Sequence, residues 1–403
     1  MMNGRERILA VLNRKTPDRI PYDLGGTDCS SVHVIPYKKL RQALSLPVTE
    51  PVVCGCLAQL IAANDADVMG ALGCDAEGLF FGSQRTKIWH TPFGVDLRVP
   101  DLFRVEDRPD GSSLVRNADG KITAERAATS YYFDPVGTPL AGVSSARELD
   151  QFEALFERWD YPVVYDESLE ELAERARRQY RSTSRAVVAL WRMHYLQAGQ
   201  ILRGYEQFFV DLMTDESLAT AVLEKLHVAY VRRLERFLGA FGDALDIVFL
   251  TDDLGTQQAG LISPELYRRM IYPWMADIVG RIKKAGKKVV MHSCGAVAEF
   301  IPFLIEMGVD AVNPVQVAAA GMNPRELVRR FGNDIAFWGG GCDTQHALNA
   351  GDPETVRRDV RRRLEEFGPR AHLVFTQVHN IQFDVVPANI LAMRDEFRRI
   401  AGA

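Results

Sequence analysis

From about residue 145 onward the chain alternates short apolar runs with longer amphipathic stretches. The runs are 185–191 (RAVVALW), 246–250 (DIVFL), 288–292 (KVVMH), 310–314 (DAVNP), 335–339 (IAFWG) and 372–376 (HLVFT). Between and around them, helical periodicity covers 146–157, 167–180, long stretches up to about 240, and then 263–284, 296–306, 323–330, 353–366 and 387–400. Continuous short apolar runs joined by amphipathic crossovers predict strands paired in parallel and buried on both faces. Two further strands are expected earlier, at 20–28 (IPYDLGGTD) and 74–81 (CDAEGLFF), with a helix at 4–14 and a helical stretch around 52–72. Six strands after residue 180 and two before residue 85 make eight, the number that closes a (β/α)8 barrel. A doubly wound open sheet would call for a Gly-rich phosphate turn after its first strand, and the chain has no G-x-G-x-x-G and no P-loop. Residues 85–140 break the rhythm. Turn signals there separate alternating segments (KIWHTPFGVDLRV, DGSSLVRNADGKITAE, SYYFDPVGTPL), which predicts an inserted region of antiparallel β-hairpins within a single domain spanning 1–403.

The barrel expectation locates the chemistry, because functional groups of this fold stand at the C-terminal ends of the strands. Those ends read DLGGTD (23–28), WRMHY (191–195), LTDDLGTQ (250–257), MHSCG (291–295), NPVQ (313–316), GGGCDTQH (339–346) and TQVHN (376–380). Nearly every polar departure from the apolar pattern falls on one of them.

Composition narrows the class. The chain has 403 residues, 47% hydrophobic and 25% charged, with a formal net charge of -5, which argues against a polyanion-binding surface. Charges interrupt the first apolar run (MMNGRERILAVLNRKTPDRIP), so it does not read as a signal peptide, and no apolar stretch reaches the roughly 20 residues that span a bilayer. Six cysteines are too few for a disulfide scaffold at this length, leaving core fillers, metal ligands or reactive thiols. The pair Cys54 and Cys56 sits beside an apparently helical LAQLIAAND with no histidine nearby, which favours packing.

His292 and Cys294 are different. One residue apart on an extended strand end, their side chains point the same way. Imidazole and thiolate are zinc donors, and a catalytic zinc keeps one position open. Cys342 and His379, at other strand ends, are the candidates for a further ligand; a soft S/N donor set argues against magnesium or calcium. Asp252 and Asp253 are candidate catalytic carboxylates, of which one is expected to face the pocket, since adjacent residues on an extended chain point apart; Ser263 with Pro264 caps the next helix independently and leaves the pair free. Gln257, Asn313, Gln316, Gln345, Asn380 and His194 are candidate substrate-binding groups, and His379 is also a candidate acid/base. Each has a blander alternative as a satisfied loop or packing residue.

Five stretches, RERILAVLNRKTPDRIP, LISPELYRRMIYP, HSCGAVAEFIPFLIEMGVDAVNPVQ, GGGCDTQHALNAGDPETV and HNIQFDVVPANILAM, together resemble the uroporphyrinogen decarboxylase superfamily, and most closely its cobalamin-dependent methyltransferase branch. The resemblance runs from the first helix to the last in motif order. It implies a cytoplasmic (β/α)8 barrel with its pocket at the C-terminal mouth. True decarboxylases of the family carry an early MRQAGRY segment for the substrate's carboxylates. This chain has IPYDLGGTDCSS there, with no arginine between Arg19 and Arg41, so eight carboxylates would lack their cationic clamp. The methyltransferase branch holds zinc with an H-x-C pair and a later cysteine. His292 and Cys294 match the pair; His379 stands roughly where the later cysteine lies, while Cys342 is this chain's only later thiol. The corrinoid-binding signature D-x-H-x-x-G is absent, so cobalamin would arrive on a separate corrinoid protein. The resulting expectation is a zinc methyltransferase acting between a small O- or N-methylated substrate and that partner, with a homodimer left open and neither nucleic acid nor membrane involved. The alternative is a metal-free decarboxylase or lyase acting on a small carboxylated substrate.

Overall fold

The computed structural model describes residues 1–48, 50–79, 85–158 and 168–402. Its centre is a parallel sheet of seven strands, in the spatial order Leu373–Val374, Ala336–Trp338, Ala311–Asn313, Lys288–His292, Ile247–Thr251, Ala186–Trp191 and Ala76–Gly78. Except for Ala76–Gly78, each strand pairs with the next in sequence, the arrangement that right-handed helical crossovers generate. The sheet is curled and TIM-barrel-like. Its two edges face the same segment: Tyr22 bridges Phe375 in parallel, and the Tyr22 carbonyl accepts from the Asp75 N–H at 2.7 Å.

Strand periodicity sorts the core into two sets. Ala186 and Val188, Ile247 and Phe249, Val290, Ala311, Ala336, Trp338 and Val374 form an interior cluster. Val187, Val248 and Leu250, Val289 and Met291, Val312 and Phe337 belong to the larger cluster that also takes in the surrounding helices. Ile8, Val11 and Leu12 of the first helix, Gly4–Leu12, join the interior cluster beside Ala76 and Ala186, near the strands' N-terminal ends. The first helix therefore plugs one end of the interior and leaves the opposite end for chemistry.

Several elements differ from expectation. The stretch 52–72 is not one helix: Val52–Cys56 is a strand with alternating burial, Ile61–Ala62 pairs with it antiparallel, and only Ala66–Leu72 is helical. VVCGC alternates with period two and carries β-branched residues and a glycine, all unfavourable to helix. The helix Val34–Ala43 was not anticipated; its N-cap is His33, whose ring accepts from the Ile35 N–H, a cap no simple sequence rule singles out. The expected helix at 296–306 begins only at Ile301, because the Ala296 N–H is taken by the Thr256 carbonyl and 297–300 form a turn. The end of the strand expected at 74–81 and the first residue of the helix expected at 167–180 lie outside the described residues. Between residues 86 and 135 the chain forms antiparallel strands, including the pair Thr86–His90 with Asp96–Pro100 and the run Arg104–Asp107, Ser113–Arg116, Ile122–Arg126.

Candidate active site

Parallel register aligns Thr251 with His292 and His292 with Asn313 across three neighbouring strands. These residues continue the inward-facing parity of Phe249, Val290 and Ala311, so they form the polar row immediately above the apolar interior. The rings of Phe249 and His292 lie 6.2 Å apart. A cavity of about 190 Å³ opens there, lined among others by Asp28, Cys29, Arg192, His194, Asp253, His292 and His379.

His292 is held from one side. Its Nδ1 lies 2.6 Å from Asn313 Oδ1, while Asn313 Nδ2 donates to the Trp338 carbonyl at 2.7 Å. A carbonyl only accepts, so the Asn313 amide orientation is fixed and its oxygen requires a proton on His292 Nδ1. Nε2 is left facing the cavity side, 3.4 Å from Cys294 Sγ and 3.9 Å from Asp253 Oδ1. Asp253 Oδ1 also accepts from the Cys294 N–H at 2.9 Å. Gly295 makes this loop feasible: its φ is +91°, and a Cβ there would lie 2.4 Å from the Gly255 carbonyl carbon. Its N–H donates to Gln316 Oε1 at 2.7 Å.

His379 has a similar neighbour. Its Nδ1 lies 3.0 Å from Asn380 Oδ1, and Asn380 Nδ2 donates to Gln59 at 2.6 Å, leaving His379 Nε2 uncommitted. The His292 and His379 rings are 5.4 Å apart, edge to face. Burial and the neighbouring His292 lower the His379 pKa, which keeps it neutral. Burial also opposes charge on His292, but Cys294, Asp253 and Asn313 outweigh it and raise its pKa to about 9. His194, against Thr251 Oγ1, is lowered to about 4 by burial and the Arg192 charge.

Two groups of donor atoms lie within 4.8 Å of one another: Asp253, His292 and Cys294, and Cys29, His292 and His379. They share His292. Imidazole and thiolate dominate, a borderline-soft set suited to zinc, and both imidazoles have the asparagine-fixed tautomer that metal-ligating histidines use.

The other expected site residues scatter. Cys342 is in neither group; it is fully buried in the helix-side core, with Asp343, Asp359 and Arg363 as its charged neighbours. Counting in twos from Ala336 and Trp338 would bring it inward, but Gly339 and Gly340, at φ +121° and +76°, end the extended alternation before the chain reaches it. Asp252 is buried at the cavity wall, where its carboxylate accepts the N–H groups of Tyr195, Leu196 and Gln197 at 2.9, 2.9 and 3.1 Å and so caps the helix Leu196–Arg203. Burial pushes its pKa up to about 7 against those donors. Asn313, Asn380 and Gln316 orient other site groups. Gln257 and Gln345 are exposed and do not line the cavity, because 257 lies in an outer turn and 345 in the short helix Thr344–Leu348. Sequence reasoning passed over Cys29, Asp28, Gln59 and Arg192. Cys29 stands one residue beyond the DLGGTD strand end already singled out, and Arg192 pairs with Asp28 across the wall.

The sequence profile described as Uroporphyrinogen decarboxylase (URO-D) matches residues 147–400. Among curated proteins, none matches the chain. A methyltransferase from Methanosarcina mazei has a similar structure over 99% of this chain and 99% of its own, with a TM-score of 0.60 at 14% identity, which speaks to fold. A xylose isomerase domain protein from Planctomyces limnophilus is a looser likeness (TM-score 0.34, 15% identity, 58% of this chain and 84% of that one) and carries no argument.

Proposed function

Because this chain belongs to the uroporphyrinogen decarboxylase family, a family of enzymes built on this barrel-like fold, we propose that it is a zinc-dependent methyltransferase. It moves a methyl group between a small O- or N-methylated compound and the cobalamin of a separate corrinoid protein. The observation that carries the reading is the pair of donor groups that overlap at His292, Asp253–His292–Cys294 and Cys29–His292–His379, with an asparagine oxygen on Nδ1 of each imidazole. His292 and Cys294 would hold the zinc with one donor of the second group, His379 or Cys29, leaving a position open for substrate, and Asp253 would steady the Cys294 backbone. The bound ion would supply Lewis-acid polarisation of the substrate heteroatom whose bond to methyl is made or broken. The side chains do the rest: Asn313 and Asn380 fix the two tautomers, and the cavity wall at Asp28, Arg192 and His194 orients a small polar substrate. Full-length likeness to the Methanosarcina methyltransferase supports the barrel frame, which we take as closed, (β/α)8 and cytoplasmic, with residues 1–403 one domain and the antiparallel region near 85–140 inserted in it. Against porphyrinogen decarboxylation, Arg192 is the one arginine or lysine among the described residues lining the cavity, and it is paired with Asp28.

The test is methyl transfer from a panel of methoxylated and N-methylated compounds to free cob(I)alamin, followed by the absorbance of methylcobalamin, with the metal content of the same preparation measured beside it. About one zinc per chain and transfer abolished in Cys294→Ala are expected. A zinc-replete protein inactive with the whole panel, or activity on a carboxylated substrate that survives complete chelation, would overturn the reading and favour the metal-free lyase.

A further inference from the structure

We propose that Cys29 is a direct ligand of the metal, the second thiolate beside Cys294; the inference rests on the metal reading above and extends it. The donor atoms of Cys29, His292 and His379 lie within 4.8 Å of one another, and His292 is also within that distance of Cys294. Around a tetrahedral zinc, with bonds of about 2.0 Å to nitrogen and 2.3 Å to sulfur, neighbouring donors stand roughly 3.3–3.8 Å apart. The His292–Cys294 contact of 3.4 Å is already there. The Cys29 group needs to contract by up to about 1.5 Å, and Cys294, which belongs to the other group through His292, must turn toward it, within the reach of side-chain rotation.

The fold explains why the thiol arrives. Residues 21–23 hydrogen-bond to both edges of the parallel sheet, and the chain then turns sharply at Gly25 and Gly26. Gly25 has φ +110° and a Cβ there would fall 1.9 Å from Asn64 Nδ2, while the Gly26 N–H donates to Asp23 Oδ1 at 2.7 Å. The turn carries Asp28 and Cys29 over the cavity, where Asp28 is pinned by Arg192 and the Cys29 thiol lies 3.6 Å from Asp28 Oδ1. Cys342, the other thiol considered for this role, is enclosed in the helix-side core. With Cys29, Cys294 and His292 as its ligands the bound dication carries no net charge and keeps a position open for substrate, and each thiol gives its proton to solvent as the metal enters.

Cobalt(II) substitution counts the sulfurs directly, because thiolate-to-cobalt charge transfer in the near ultraviolet scales with their number. The wild-type protein is expected to show a band of two-thiolate intensity, Cys29→Ser and Cys29→Ala a band of one-thiolate intensity, and Asp253→Asn an unchanged band. Zinc affinity in the Cys29 variants should fall by more than about 10-fold in competition with a chromophoric chelator. A wild-type band of one-thiolate intensity that Cys294→Ala abolishes would overturn the Cys29 assignment while leaving the metal reading intact, and needs no Cys29 variant to fold. A wild-type protein that binds neither cobalt nor zinc would instead remove the metal reading itself.

Discussion

His292 shows how one residue's chemistry is set by its neighbours. The Asn313 amide, oriented by the Trp338 carbonyl, forces the proton onto Nδ1 and presents Nε2 to the cavity. Asn313→Ala frees the ring and leaves a buried carbonyl without its donor. We expect metal affinity to drop by about 10–100-fold, and stability by about 1–3 kcal/mol, in chelator competition and urea unfolding. Undiminished affinity would show that the tautomer is fixed elsewhere. The same residue gives a pH dependence. In the metal-free protein its pKa rises from 6.5 to about 9, so its stabilising contribution is complete below pH 6.5 and is lost as pH climbs through about 9. Metal-free protein should therefore lose stability from neutral toward pH 9.5, and His292→Gln should flatten that slope. A wild-type slope identical to that of the variant would refute the assignment. The spacing of His292 and Cys294 was legible because period-two geometry at a strand end requires a shared side. The place of Cys342 in the helix-side core was not legible, because positive-φ Gly339 and Gly340 turn the chain off the strand before it and period-two counting stops there.

At the scale of elements, alternation of apolar runs and amphipathic stretches was sufficient for the parallel strands from residue 186 onward, several of which match expectation to within a residue or two. The failures have separate causes. VVCGC carried its own strand signal and was absorbed into the helical stretch that follows it, while the helix Val34–Ala43 starts at a histidine cap that no simple sequence rule singles out. Asp252 belongs here too. Read as a candidate catalytic carboxylate, it spends its acceptors on three N–H groups at the start of the helix Leu196–Arg203. Asp252→Ala should cost about 2 kcal/mol in urea unfolding through the lost cap and the unpaired donors. Asp252→Asn, which keeps an acceptor oxygen, should retain most of the transfer activity. A stable Asn variant with no activity would make the carboxylate a chemical participant instead.

For the whole molecule, the decisive junction is where the early segment meets the two edges of the sheet. Asp75 organises it: its carboxylate accepts the Tyr22 N–H at 2.9 Å, Arg7 Nη1 at 2.9 Å and Arg19 Nη1 at 2.8 Å, with the side chain almost wholly buried. None of this was visible in the sequence, where Arg7, Arg19 and Asp75 are ordinary charges separated by long stretches of chain. Removing the acceptor leaves the Arg19 guanidinium without its carboxylate and Arg7 with Asp18 alone, and breaking a buried ion pair by removing one partner is the costly case. Asp75→Ala should therefore lower stability by about 3–5 kcal/mol in urea unfolding. Because the same segment runs on through Gly25 and Gly26 to Cys29, the damage should reach the mouth unevenly. At a urea concentration where the variant is still folded, the cobalt band is expected to lose the Cys29 contribution and keep that of Cys294. Stability within about 1 kcal/mol of wild type, the range of an exposed pair, would mean that the junction does not hold the early segment in place.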